Sequence, residues 1–319
     1  MTQMGNTGDL KPGQRQPAAL HLLAPAKINF FLHVVGRRPD GYHLLQSAFE
    51  LIDWSDEITL ERLPGPEIAR TGDLLCDPAE DLAVRAGQLL QTTQQWAQSG
   101  RPGARITIRK EIPAGAGLGG GSSDAATTLL GLNQLWGLGL DRAHLAGLGL
   151  RLGADIPFFV SGLGAAFVEG VGEFFSPYQS RPRWLIVAVP RVHVPTGAIF
   201  TAPELTRNSK PLKIADFAQA ALSPSWEFGR NDLEAVTRQK FQEVAQLITW
   251  LRDAALSEEV APGAVRMSGS GGSVFCSAPS LDQAQMILNR MLSIQQSPEG
   301  KIIAHLRICQ TLTRHPEQL

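Results

Sequence analysis

The sequence predicts an α+β fold of about two domains. Segments rich in β-branched and apolar residues are interleaved with segments whose apolar residues recur at helical spacing, and no internal repeat or low-complexity tract separates them. Apolar residues make up 43% of the 319 residues and charged residues 18%, which is typical of globular proteins. A chain of this length and composition can form two hydrophobic cores.

The predicted elements follow from local patterns in chain order. Before residue 113 they are a strand over 20–35 interrupted at 24–29, a turn over 37–43, a strand over 49–60, a GlyPro turn at 65 and 66, a helix over 82–96 and a strand over 105–112. Two helices follow over 123–136 and 141–152, and Asp141 is suited to cap the second. The remaining elements are strands over 165–168, 184–189, 274–276 and 301–309 and helices over 213–222, 232–255 and 280–293.

The domain organisation is predicted from changes in composition. Residues 1–19 are polar, rich in Gly, Gln and Pro, and lack the apolar core of a secretory signal, so they predict a disordered leader. ArgProArg at 181–183 precedes a strongly apolar strand and predicts a boundary. We therefore expect an N-terminal domain over 20–180 and a C-terminal domain over 181–319.

Charge and cysteine content exclude several function classes. Lys and Arg total 29 and Asp and Glu total 30, so no excess of one sign indicates nucleic acid or an anionic membrane as a partner. No apolar stretch reaches the roughly 18 to 20 residues that span a bilayer. The three cysteines are isolated and lack metal-site spacing, which predicts a reducing, cytoplasmic location. The oligomeric state is not predicted.

A glycine-rich segment carries the main functional signal. Residues 113–123 read PAGAGLGGGSS and lie between a predicted strand and a predicted helix. Glycines that open a helix expose unpaired N–H groups at the positive end of the helix dipole and let a phosphate approach closely. A P-loop is excluded because no lysine stands at the required place, and the context excludes a dinucleotide-binding GxGxxG. The alternatives are a phosphate-binding loop and a structural turn.

Two charged residues are candidates for phosphoryl transfer, which needs phosphates held, charge neutralised and a base at the attacking hydroxyl. Asp155 stands before Ile156 and a proline, which is expected to keep Ile156 extended and the carboxylate rigid at a helix end. The alternative is an aspartate that only caps a turn. Lys27 interrupts an apolar strand, and its alternative is a side chain that points to solvent.

Aromatic residues and a second Gly/Ser segment are further candidates. Tyr42 and His43 follow a ProAspGly turn, where they could stack on and hydrogen-bond a nucleobase or simply cover the edge of the core. Phe200 fits a core position on pattern alone. Residues 268–273 read SGSGGS and supply either backbone donors or a tight turn.

Together these segments resemble the GHMP kinase superfamily, and within it the kinases of 4-diphosphocytidyl-2-C-methyl-D-erythritol in the non-mevalonate route to isoprenoids. The resemblance covers about residues 22–276. The matching segments are APAKINFFL at 24–32, RRPDGYH at 37–43, the glycine-rich segment, LGADIPFF at 152–159, PTGAIF at 195–200, NDLE at 231–234 and SGSG at 268–271.

The resemblance implies a fold and a set of roles. The fold is a two-domain α+β GHMP kinase fold with ATP and substrate in the cleft between the domains. Lys27 and Asp155 match the catalytic pair, in which the aspartate takes the proton and the lysine steadies charge. Lys110 matches a residue near the nucleotide. The residues implied to hold the ATP phosphates are Pro113, Ala114, Gly115, Ala116, Gly117, Leu118, Gly119, Gly120, Gly121, Ser122 and Ser123.

The resemblance also implies the substrate contacts. Residues matching Tyr42 and Phe200 sandwich the cytosine ring, His43 reads its polar edge, and Asn29 and Thr196 lie along the substrate. ATP is the phosphoryl donor and Mg²⁺ accompanies it, although no acid identifies itself as the metal ligand.

Two departures and two rival functions remain at this stage. Asp81 stands where such kinases carry an asparagine, which leaves an adenine contact there open, and Leu44 stands where an acid is more usual. One rival is a GHMP kinase that acts on homoserine, mevalonate or a sugar. The other is a non-catalytic protein that binds a nucleotide or metabolite.

Overall fold

The fold contains two β-sheets that are packed against helices. The computed structural model describes residues 17–222 and 228–317. The first sheet contains β1 Ala19–Arg37, β2 His43–Leu63, β3 Ile68–Gly72, β4 Gly103–Arg109, β5 Ala165–Gly170 and β6 Phe174–Pro177. The second contains β7 Trp184–Pro190, β8 Val265–Met267, β9 Val274–Ala278 and β10 Ile303–Gln310. Residues 1–16 of the predicted leader lie outside the described residues, and β1 begins at its last residue.

The helices complete the predicted α+β class. They are α1 Leu82–Leu90, α2 Gln94–Gln98, α3 Gly120–Trp136, α4 Arg142–Leu150, α5 Ile156–Ser161, α6 Thr196–Phe200, α7 Ile214–Ala221, α8 Glu234–Lys240, α9 Gln242–Leu256 and α10 Leu281–Gln295. Short 3₁₀ turns occupy Pro262–Ala264 and Glu299–Ile302. None of the helices in the described ranges is long and apolar enough to cross a membrane.

The long strand β2 organises the first sheet. It pairs antiparallel with β1 along one edge, while its first half pairs with β5 and its second half with β4 on the other edge. The register between β1 and β2 shifts between Pro25 and Ala26, within the segment predicted to interrupt the strand. Alternate side chains of β1 point to opposite faces, so Ala26, Ile28 and Phe30 enter an apolar cluster and Lys27 faces the other way.

The helix α3 lies at the centre of the first half of the chain. Almost all its residues from Ser123 to Trp136 are buried, and it packs against α1, α5 and the first two strands. A helix that is buried on nearly all sides cannot shift without disturbing the core around it. The loop that opens α3 is therefore held at a fixed place.

One apolar cluster joins the two sheets. It combines Ile28 and Phe31 of β1 with Val187 of β7 and Phe275 of β9, all essentially inaccessible to solvent. A further cluster fills the first half of the molecule, and another fills the second half together with Leu32 and Val34 of β1. The boundary at residues 180 and 181 stays a proposal, which is supported because each sheet takes its strands from one side of it.

Two predicted helices are each divided in the structure. The helix predicted over 82–96 stops at Leu90, because the Thr93 hydroxyl donates to the Leu90 carbonyl and accepts from the Trp96 amide, which starts α2. The helix predicted over 232–255 is interrupted at Phe241, whose backbone is extended. The predicted interruption of the first strand at 24–29 is wrong, because β1 runs unbroken through it with only a shift of register against β2. The predicted cap is confirmed, since Asp141 accepts from the His144 amide at the start of α4.

Two helical glycines give opposite expectations for stability. A Cβ at Gly131 in α3 would lie 2.4 Å from Leu60 Cδ1 and 2.5 Å from Leu22 Cδ1, whereas a Cβ at Gly147 in α4 would meet nothing within 4 Å. Gly147→Ala should raise the free energy of unfolding by about 0.5–1 kcal/mol through helix propensity. Gly131→Ala should lower it by about 1–3 kcal/mol, because overpacking outweighs that gain. Urea unfolding of both variants checks this, and equal shifts would contradict the packing described for α3.

Candidate active site

The glycine-rich loop presents its N–H groups at the start of α3. Gly119 is the N-cap residue and has φ 74°, a left-handed conformation that favours glycine. The first intrahelical bond is made by Ser123, so the amides of Gly120, Gly121 and Ser122 have no acceptor among the described residues. These three amides form an anion-binding helix start.

The carbonyl groups of the same loop are bound by the protein. Ala116 O accepts from Ser273 Oγ at 2.6 Å, Gly117 O accepts from Ser268 Oγ at 3.2 Å, and Leu118 O accepts from the Lys27 amide at 2.9 Å. Residues 268–273 are therefore a clasp for the glycine loop. A Cβ at Gly117 would lie 2.5 Å from Ser268 O, so this clasp requires glycine there. The interpretation of the loop as a mere turn does not account for its unpaired amides.

A cavity of about 380 Å³ opens on the amide side of the loop. It is lined by the start of α1, by Lys110 and by residues 112–122 and 124. Ten of the eleven loop residues implied to hold ATP phosphates line this cavity, and Ser123 is buried. We call it the nucleotide cavity because the resemblance implies ATP there. Asp81 lies at its edge, but its oxygens cap α1 at the Ala83 amide and pair with Arg70 at 2.8 Å.

Lys27 and Asp155 meet on the other side of the loop, as the resemblance implies. Lys27 Nζ lies 3.5 Å from Asp155 Oδ2, and the two side chains are 5% and 32% exposed. They line a second cavity of about 300 Å³ that shares Gly117 and Gly119 with the nucleotide cavity. A Cβ at Gly119 would lie 3.1 Å from Lys27 Cγ, so the loop backbone is in contact with the lysine stem.

A chain of hydrogen bonds holds the buried ammonium group of Lys27. Asn29 Oδ1 lies 2.5 Å from Nζ, Asn29 Nδ2 donates to Ser47 Oγ at 2.9 Å, and Ser47 Oγ donates to Phe31 O. The Phe49 ring lies beneath Nζ at 4.5 Å. These contacts compensate for the loss of water, so the solvent-facing alternative for Lys27 is wrong.

Asp155 is not used as a helix cap. It stands at the N-cap position of α5, but its carboxylate accepts no capping bond, so the alternative of a structural cap is wrong. The expectation of an extended Ile156 is also wrong. Ile156 is the first helical residue, because the proline that follows fits the first turn, where no N–H partner is needed. The carboxylate is therefore free to face the second cavity.

A third cavity of about 450 Å³ continues from the second and shares Leu45, Val171 and Phe200 with it. Tyr42, which is 64% exposed, lines this third cavity together with His43 and Phe200. The alternative that Tyr42 covers the core is therefore wrong. Phe200 is half-buried: it packs on the apolar cluster that fills the second half of the molecule and also lines the third cavity. The His43 and Phe200 rings lie 5.2 Å apart.

Thr196 lies where the clasp reaches the second cavity. Its Oγ1 is 2.7 Å from Ser270 Oγ, and both residues line that cavity with Asn29. The two substrate positions implied at Asn29 and Thr196 are thus brought together with Lys27 and Asp155 around one space.

Lys110 lines the nucleotide cavity, but its ammonium group is shared by two carboxylates. Nζ lies 2.5 Å from Asp56 Oδ2 and 2.6 Å from Asp124 Oδ2. Burial alone would lower the pKa of Lys110, but the two carboxylates together raise it above its ordinary value. Burial raises the pKa of Asp124 to about 7, against the opposing effect of Lys110. Lys110 therefore ties the end of β4 to the first turn of α3.

Three residues of the site were not found from the sequence. Asp56 and Asp124 are buried beside Lys110, and Arg207 contacts His43 from behind the third cavity. Asp124 follows directly on the two serines that open α3, which was a usable signal. Asp56 resembled an ordinary acid in an alternating strand, and Arg207 lies in a segment without a pattern.

The comparisons with known proteins agree with this geometry. The family model of the GHMP kinases N terminal domain matches residues 81–163, and that of the GHMP kinases C terminal matches residues 216–295. A 4-diphosphocytidyl-2-C-methyl-D-erythritol kinase of Ralstonia pickettii is 48% identical over 295 residues, covering 92% of this chain and 94% of that protein. A protein of the same name from Paraburkholderia phytofirmans is 52% identical over 268 residues, 82% of this chain and 87% of its own.

Solved structures give the same result. A crystal structure of 4-(cytidine 5'-diphospho)-2C-methyl-D-erythritol kinase has a TM-score of 0.73 and 30% identity, covering 92% of this chain and 99% of its own. A homoserine kinase from Cytophaga hutchinsonii has a TM-score of 0.68 at 17% identity, covering 95% and 97%, which shows the fold alone. The predicted GHMP kinase fold is confirmed. The chain is a kinase that belongs to the GHMP kinases and, within them, to the family of the 4-diphosphocytidyl-2-C-methyl-D-erythritol kinases.

Proposed function

We propose that this enzyme transfers the γ-phosphoryl group of ATP to the 2-hydroxyl of 4-diphosphocytidyl-2-C-methyl-D-erythritol, giving the 2-phosphate and ADP, a step of non-mevalonate isoprenoid synthesis. The observation that carries the proposal is the order of the three cavities. The nucleotide cavity meets the cavity of Lys27 and Asp155 at Gly117 and Gly119, and the third cavity, with its aromatic walls, continues from there. This order matches a phosphoryl donor, a reacting alcohol and a distant nucleobase.

The proposed chemistry uses the groups around the second cavity. Asp155 accepts the proton of the hydroxyl as its oxygen forms a bond to the γ-phosphorus, and the bond between that phosphorus and the β,γ-bridging oxygen breaks to release ADP. Lys27 is placed to balance the negative charge that this transfer moves toward the alcohol. The amides of Gly120, Gly121 and Ser122 bind phosphate oxygens without having to reorganise.

Mg²⁺ is part of the proposal, and its fit depends on the carboxylates present. No group of three or more His, Cys, Asp or Glu side chains in the described ranges is arranged to hold a metal. Mg²⁺ beside phosphates needs only one or two protein carboxylates, since it keeps several waters. Asp124 fits this need: it lines the nucleotide cavity, and its buried Oδ1 has no partner among the described residues. Asp124 would hold the ion, which would neutralise phosphate charge.

The site argues against the two rival functions. The walls of the third cavity suit a planar base, and homoserine, mevalonate and sugars carry no base that would occupy it. Binding alone does not require a buried lysine paired with a carboxylate that makes no helix-capping bond. The cytoplasmic location stays a prediction.

The substrate is tested by comparing alcohols in an assay coupled to ADP release with ATP and Mg²⁺. The cytidine diphosphate alcohol should be phosphorylated, and homoserine, mevalonate and 2-C-methylerythritol 4-phosphate should not. Tyr42→Ala should raise the KM for the cytidine substrate about tenfold, because stacking on a base contributes about 1–3 kcal/mol. It should leave the KM for ATP unchanged. Phe174→Ala is the control, since Phe174 is 65% exposed and lines none of the three cavities. Equal turnover of an alcohol without cytidine would contradict the proposal.

The proton-accepting role of Asp155 is tested by Asp155→Asn. The amide keeps the shape but cannot take the proton, so kcat should fall about 10²- to 10⁴-fold with little change in the KM for ATP. Asp141→Asn makes the same chemical change at a helix cap where asparagine serves equally well, and its kcat should stay at the wild-type value. An undiminished kcat in Asp155→Asn would remove this residue from the mechanism.

A further inference from the structure

Arg207 connects two walls of the third cavity without lining it. Its Nε donates to His43 Nε2 at 3.1 Å. One terminal nitrogen donates to Phe200 O at 3.1 Å and to Ala202 O at 2.7 Å, and the other donates to Leu205 O at 3.0 Å. A guanidinium group is planar and its donors are fixed relative to one another, so these four bonds hold His43 and the end of α6 in one arrangement.

The contact with Arg207 determines which nitrogen of His43 carries the proton. Arginine has no acceptor, so Nε2 must be the unprotonated nitrogen of the ring. A neutral imidazole then carries its proton on Nδ1. Burial first, and then the positive charges of Arg207 and Arg37, lower the pKa of His43, so the ring is neutral at neutral pH. Nδ1 has no partner among the described residues and is left as a donor.

The charged groups around His43 are consistent with a neutral ring that carries its proton on Nδ1. Arg37 and Arg207 are the cations that act on the ring. Asp40 lines the same cavity, but its carboxylate pairs with Arg38 at 2.7 Å. No described carboxylate therefore bonds to the ring and stabilises a doubly protonated form.

We infer that Arg207 is a positioning residue for base recognition: it presets His43, which lies beside Phe200 in the wall of the third cavity, as an Nδ1–H donor. A cavity with a fixed donor on that side accepts a base whose facing ring nitrogen is an acceptor, as N3 of cytosine is, and disfavours uracil, whose N3 carries a hydrogen. This role rests on the proposed function for the identity of the base. The link between Arg207 and the proton position does not rest on it.

The test combines a measurement of the proton position with nucleotide binding. Imidazole ¹⁵N shifts of the protein, with His43 assigned from the spectrum of His43→Gln, should show at pH 8 a protonated Nδ1 and a bare Nε2. Arg207→Met should lose that preference. Its affinity for cytidine 5'-diphosphate at pH 8 should fall about tenfold, which is the effect of losing one hydrogen bond. Its affinity for uridine 5'-diphosphate should change little. Turnover with saturating substrate should stay near the wild-type value, because Asp155 and Lys27 are untouched.

The pH dependence separates this role from a structural one. Without Arg207 the pKa of His43 should rise toward its ordinary value. Lowering the pH should then protonate the ring, restore the Nδ1 donor and strengthen the binding of cytidine 5'-diphosphate to Arg207→Met. Arg151→Met removes an exposed arginine at the end of α4 that lines none of the three cavities, and it should match the wild type. Arg207→Lys keeps a hydrogen-bond donor, so its affinity for cytidine 5'-diphosphate should fall less than that of Arg207→Met.

Three results would overturn the inference. The first is a protonated Nε2 in the wild-type protein at pH 8. The second is an equal loss of affinity for both nucleotides in Arg207→Met that does not change with pH. This result would mean that Arg207 has a structural role alone. The third is a wild-type protein that binds neither nucleotide: this result would overturn the proposed base and the specificity role, while the ¹⁵N shifts would still decide the coupling of Arg207 to His43.

Discussion

The rest of the site depends on the hydrogen bonds that hold the glycine loop by its carbonyl groups. Ser268 and Ser273 bind the carbonyls of Gly117 and Ala116 from the C-terminal half, and the Lys27 amide binds that of Leu118 from β1. With its acceptors occupied, the loop has a fixed orientation, and its amides face the nucleotide cavity. The same loop backbone touches the stem of Lys27. One set of contacts therefore positions both the unpaired amides at the start of α3 and the lysine that we propose acts in catalysis.

The two lysines near this loop have different partners and different accessibility. Lys27 is held by Asn29 and faces Asp155 in a cavity that remains partly open, so this pair is available to a substrate. Lys110 is held by two buried carboxylates and is not available in the same way. Breaking a buried pair by removing one partner costs about 3–5 kcal/mol, so the pair of Asp56 and Lys110 stabilises the fold beside the cavity that we propose binds ATP.

The sequence was sufficient for the parts of the site that depend on local pattern. The glycines before α3 predicted a helix start that a phosphate can approach closely, and the structure has unpaired amides there. Period-2 alternation turns Lys27 away from the apolar cluster that Ala26 and Ile28 enter. Resemblance supplied the pairing of Lys27 with Asp155. Two features that the sequence did not predict depend on contacts between distant segments. They are the role of Ser268 and Ser273 as a clasp and the role of Arg207, whose partner His43 lies 164 positions away.

The most direct measurement is a crystal structure of the complex with a non-hydrolysable ATP analogue and the cytidine diphosphate alcohol. The account predicts phosphate oxygens about 2.7–3.2 Å from the amides of Gly120 and Gly121, and the acceptor hydroxyl between Asp155 and Lys27. The carbonyls of 116–118 should keep their present partners. Phosphates bound away from the α3 amides, or a hydroxyl that contacts neither Asp155 nor Lys27, would contradict it.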